Sequence, residues 1–144
     1  MFRVSLFCSP AAACQLSSAC AGATGKATFG FNARYQRGAN TPDGSTEFQF
    51  QAGGLNFKST TYQWLVVAGS KAQYKGVGSI NGKGTYNFLL TAIDGDLQNG
   101  KADAFRIKIT DPSTGSVIYD NQMGTDDTSN SATVLGGGSI VIHQ

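Results

Sequence analysis

Between Ile80 and Asp120 the apolar residues recur at every second position, and this period leaves few folds open. Tyr86, Phe88, Leu90 and Ala92 share one face of an extended run, and Phe105, Ile107 and Ile109 share one face of the next. Arg106 and Lys108 fall on the opposite face. Asn81-Gly82 is a hairpin signal, because both residues tolerate positive φ. Asp111-Pro112-Ser113-Thr114-Gly115 is a second turn. Strands joined by such turns form an antiparallel meander with one buried and one wet face.

The same alternation extends through most of the chain. Ala27, Phe29, Phe31, Ala33 and Tyr35 share a face, as do Phe48 and Phe50, and Leu55 and Phe57. The stretch 37–44 reads as a loop closed by a Pro42-Asp43-Gly44 turn. Tyr62–Ala68 is more continuously apolar and reads as a central strand covered on both faces, and 139–143 as a last strand. About nine or ten short strands result, which predicts an all-β fold: an antiparallel β-sandwich, jelly-roll-like. No stretch has helical periodicity. No apolar run reaches the length of a transmembrane segment.

The first 23 residues fit two readings. Arg3 followed by an apolar run, with Ala21-Gly22-Ala23 behind it, resembles a secretory signal. The rival is a first strand over 2–7 followed by a loop. The domain proper is then 24–144. Cys8, Cys14 and Cys20 all lie in this segment, so at most one internal bridge can form and its pairing is open. Three Cys without a nearby His make a poor zinc set; the one His is His143.

Several phrases resemble one family in order along the chain: TGKATFGF (24–31), TEFQF (46–50), WLVVAG (64–69), LTAIDG (90–95), FRIKI (105–109) and LGGGSIVIH (135–143). They are similar to the post-COAP module of secreted bacterial surface proteins, which often follows PKD or HYR repeats. The resemblance covers about 24–143. It implies an extracellular or cell-surface β-domain with no catalytic residues to carry over. The family's glycine-rich opening strand with a Trp is not matched at 1–8.

Charge narrows the function. Charged residues are 14% of the chain, against about 25% in typical domains. Eight Lys/Arg and two acids precede Asp94; three Lys/Arg and seven Asp follow from there on. No basic stripe dense enough for nucleic acid appears. Nucleophilic catalysis needs a base within reach of the nucleophile, and glycoside hydrolysis needs paired carboxylates; neither set is evident, so no enzyme is expected. Asp94, Asp96 and Asp103 in one loop and Asp120, Asp126 and Asp127 in another offer oxygens for a Ca²⁺ ion, the one cofactor the sequence suggests. The competing explanation, and the favoured one, is that Asp, Asn and Gly make turns. Tyr62, Trp64, Tyr74 and Tyr86 are candidate platforms for sugar rings, but Trp64 lies in the most apolar strand and core packing is the favoured reading for it. The expectation is a non-catalytic extracellular module for structure, adhesion or surface attachment, its partners polysaccharide or other surface modules. The alternative is a carbohydrate-binding module, Ca²⁺-stabilised if the Asp clusters assemble.

Overall fold

The structure, a computed structural model, describes residues 4–8, 13–14, 25–35, 37–50, 54–120, 126–131, 133–134, 140 and 142. Of these, residues 4–8, 13–14, 25–28, 50 and 133–134 are described as backbone alone. The strands are β1 (Val4–Cys8), β2 (Ala13–Cys14), β3 (Gly25–Tyr35), β4 (Pro42–Phe50), β5 (Leu55–Ala68), β6 (Lys71–Ile80), β7 (Lys83–Ile93), β8 (Ala104–Thr110), β9 (Val117–Asp120) and β10 (Thr133–Val134). One short 3-10 helix, Gly95–Gln98, follows β7. The protein is therefore all-β. Its strands form one antiparallel sheet in which seven, β3 to β9, follow one another as neighbours.

Two observations show that this sheet is rolled. Phe29 of β3 and Phe105 of β8 stack with ring centroids 3.7 Å apart, although β8 lies five ladder steps from β3. In a flat sheet those steps would separate the strands by about 24 Å. Further, β1 pairs with β3 and β2 pairs with β9, at opposite ends of the strand order. Only residues 9–12 join β1 to β2, a span of about 17 Å at full extension. The inner face therefore closes on itself around Phe29, Phe48, Phe57, Tyr74, Phe88, Phe105 and Tyr119, each 2% exposed or less.

Inside this aromatic core lies a chain of hydroxyls. Tyr62 Oη donates to the Asn32 carbonyl at 2.8 Å. Its proton is thereby used, so in the 2.6 Å contact with Thr46 Oγ1 the threonine donates. Thr46 has then no second proton, so Tyr74 Oη must donate in the 2.7 Å contact with Thr46 Oγ1. The direction is fixed from Tyr74 through Thr46 and Tyr62 to the backbone of β3. Burial pushes the Tyr74 phenol well above its ordinary value, with Tyr62 alongside adding to the rise. Burial raises Tyr62 as well.

Several sequence expectations change here. Asn81 and Gly82 have φ of 52° and 75° and make the expected β6–β7 turn. Pro42-Asp43-Gly44, read as a turn, belongs to β4, paired with Tyr35, Arg34 and Ala33. Tyr62–Ala68 is not covered on both faces: Val66 is 56% exposed and Val67 40%. β4 pairs with β5 only from Leu55 to Lys58, so this stretch also lies on an open edge. There Tyr35 Oη caps the edge, donating to the Leu65 carbonyl and accepting from the Leu65 N–H, both at 3.1 Å. Of the expected last strand, Ile140 and Ile142 are described, and both are buried. Neither belongs to a described ladder. Their N–H groups donate to Asp103 Oδ2 and Asp94 Oδ2, at 2.6 and 2.9 Å.

Candidate functional site

Strand β5 carries two bulges, and the second creates the site. Its pairing with β6 skips one residue between Ser59 and Thr61 and another between Tyr62 and Trp64. Tyr62 opposes Gly76, a buried inner-face position, while Trp64 opposes Lys75, on the outer face. Simple alternation would place Tyr62 and Trp64 on one side. The extra residue, Gln63, turns Trp64 out of the core, which is how bulges re-aim side chains.

The register then lays a row across the outer face: Trp64 beside Lys75, Lys75 beside Leu89, Leu89 beside Lys108. A parallel row runs through Asn87 and Thr110, and another through Gln73, Thr91 and Arg106. The segment 126–131 is strapped over the far end of this face. Arg106 Nη1 donates to the Asp126 carbonyl at 2.7 Å, Gln73 Nε2 to the Asp127 carbonyl at 2.6 Å and Lys71 Nζ to the Thr128 carbonyl at 2.7 Å. Lys108 Nζ meets Asp127 Oδ1 at 2.8 Å, and Ser131 Oγ donates to the Thr91 carbonyl. Under the strap, Arg106 and Asp120 form a two-bonded ion pair at 3.0 and 2.8 Å, both residues almost fully buried. The face expected to be wet is thus dry at Arg106 and Thr91, and open nearer Trp64.

Between strap and Trp64 lies a cavity of about 260 Å³. Trp64 forms one wall, Asp127 and Thr128 the opposite one, and Gln73, Lys75, Asn87, Leu89, Lys108 and Thr110 line the rest with Phe88. It is slightly smaller than the roughly 300 Å³ at which small-molecule sites usually begin. A half-buried indole facing amides, a hydroxyl and ammonium groups offers a flat apolar surface ringed by hydrogen-bonding groups. Its described lining holds one carboxylate, Asp127, already engaged by Lys108.

Of the four aromatic candidates, the cavity takes Trp64. Tyr62 and Tyr74, at 5% and 0% exposure, are core residues whose hydroxyls serve the Thr46 chain, so neither is a sugar platform. Tyr86 is half-buried and packs against the core. The six aspartates are not brought together. Asp94 and Asp103 accept backbone N–H groups on both carboxylate oxygens: Asp96 and Ile142 for the first, Gly95 and Ile140 for the second. Asp120 is bound to Arg106 and Asp127 to Lys108, while Asp96 and Asp126 are exposed. Among the described residues no group of three or more His, Cys, Asp or Glu could hold a metal ion. Cys20 and His143 lie outside the described residues, and Cys8 and Cys14 are described as backbone alone.

Lys75, Gln73, Asn87 and Lys108 did not stand out in the sequence. Their shared face was legible from alternation, and the phase of Leu55 and Phe57 sets Trp64 on it too; reading 62–68 as a strand covered on both faces hid this. No helix among the described residues is long and apolar enough to cross a membrane. Compared with family models, curated proteins and solved structures, the chain matches none.

Proposed function

We propose that this protein is a non-catalytic carbohydrate-binding module of a secreted or cell-surface protein, gripping a sugar ring against Trp64. The observation that carries this reading is the register of β5 after the bulge at Gln63, which sets a tryptophan in a polar groove outside the aromatic core. Indole is costly to expose without a use, since burying an aromatic side chain contributes about 1.5–3 kcal/mol. The groove's polar residues match the hydroxyls of a pyranose, and its size suits one sugar unit of a chain. The resemblance to post-COAP modules and the low charge support an extracellular setting, and the rolled sheet fits a sandwich-like domain. A structural or adhesive role is the second reading, favoured by the β5 edge with Val66 and Val67 exposed.

A glycan array probed with the parent and with Trp64→Ala tests the proposal. Saccharide binding lost in the variant, with the melting midpoint nearly unchanged, is expected. An array on which the folded parent retains no saccharide refutes it.

A further inference from the structure

We propose that the sugar taken by the Trp64 groove is acidic, a pyranose carrying a carboxylate or sulfate that meets the Lys75 ammonium. The inference rests on the saccharide reading above and adds the charge of the ligand to it.

The lining brings in two lysines and one acid. Lys108 is neutralised by Asp127 at 2.8 Å. Lys75 has no ion-pair partner among the described residues, and the register sets it directly across from Trp64 on the neighbouring strand. Lys71, on the same face of β6, donates to the Thr128 carbonyl and has no ion-pair partner among the described residues. The groove therefore carries a net positive charge beside its aromatic wall. A ring lying on Trp64 would bring one substituent over the adjacent strand, where Lys75 stands, and cross-strand neighbours lie about 5 Å apart. Neutral sugars leave that ammonium without a partner; an anionic substituent fills the position. Lysine is a point charge on a flexible stem, without the planar fork by which arginine selects carboxylates. The site therefore selects for negative charge and accepts carboxylate and sulfate alike.

The experiment compares binding of polygalacturonate, dextran sulfate and uncharged dextran at low and at 0.5 M salt, using the full chain, Lys75→Gln, Trp64→Ala and Lys83→Gln. Lys83 is exposed and lies outside the groove lining, so its variant reports non-specific attraction to polyanions. The expected result is that both acidic polymers outbind dextran and that Lys75→Gln weakens them about two- to fivefold, the range of an exposed charge pair. Their salt dependence should flatten in that variant. Trp64→Ala should lose both acidic polymers, and Lys83→Gln should match the parent. Binding of dextran through Trp64 with no preference for acidic polymers overturns this inference while leaving the proposed function standing. Equal losses in Lys83→Gln and Lys75→Gln overturn it too, because they mark diffuse attraction. Absence of binding to all three polymers and to the glycan array overturns the inference together with the proposed function.

Discussion

Replacing Thr46 by Val tests whether the buried hydroxyl chain is organised as its geometry requires. The two side chains have nearly the same shape, so no cavity opens, and Thr46 is fully buried. What changes is hydrogen bonding. Tyr74 Oη loses its acceptor in a place where Tyr74 is 0% exposed, and an orphaned buried donor costs about 1–3 kcal/mol. Tyr62 keeps its bond to the Asn32 carbonyl and loses only the proton offered by Thr46, worth about 0.5–1.5 kcal/mol. Thr46→Val should therefore destabilise the fold by about 2–4 kcal/mol. Adding Tyr74→Phe removes the orphan, so the double variant should cost only about 1–2 kcal/mol, less than Thr46→Val alone. Urea unfolding measures this: with an m-value of about 2 kcal/mol/M, the midpoint should fall about 1–2 M in the single variant and recover part of that in the double. A double variant at least as unstable as the sum of the singles would refute the donor order. So would a Thr46→Val midpoint equal to the parent's.

The remaining expectations follow from the same contacts. Because the folded-state phenols of Tyr62 and Tyr74 lie above the unfolded value near 10, their contribution is intact below pH 10 and fades as pH rises through the folded values; phenolate absorbance from these two should appear only together with unfolding, and reversible ionisation of all five tyrosines near pH 10 in folded protein would contradict it. Gly76→Ala drives a methyl into the Thr61 carbonyl and to 2.9 Å from Phe88 Cε1, and should cost about 1–3 kcal/mol by calorimetry, where an unchanged midpoint would show that the sheet yields there freely. Asp120→Ala strands the Arg106 guanidinium under the strap and should cost about 3–5 kcal/mol, whereas Asp127→Ala, at a partly exposed pair, should cost at most about 1; equal costs would mean that the strap, and not the buried pair, holds this face. Melting curves in Ca²⁺ and in EDTA should coincide, since four of the six aspartates are spent on N–H groups or cations, and a rise in midpoint with Ca²⁺ would point to a site beyond those contacts.

The all-β class was legible because period two survives in the ladders, most plainly along β6, where buried and part-exposed residues alternate as the sequence suggests. What could not be read was anything that depends on counting residues across a ladder. A bulge leaves no mark in composition: Thr60 and Gln63 are ordinary strand residues, yet each shifts every later residue of β5 to the other face. Two such shifts cancel: Leu65 and Trp64 return to the phase set by Leu55 and Phe57, while Tyr62, between the bulges, is turned to the core side that plain alternation would deny it. The aspartates failed to assemble for a related reason. Their loops were read as local clusters, but their carboxylates are set by distant backbone, with Asp94 and Asp103 reaching Ile142 and Ile140 from 48 and 37 residues away. That anchoring does what ladder bonds would otherwise do for a terminal strand: it satisfies the N–H groups while Ile140 and Ile142 enter the core. The acids that looked most like a cation site are thus matched to backbone donors and to Arg106. Among the described residues of the groove lining, Lys75 has no ion-pair partner, and it stands across from the outward-facing Trp64.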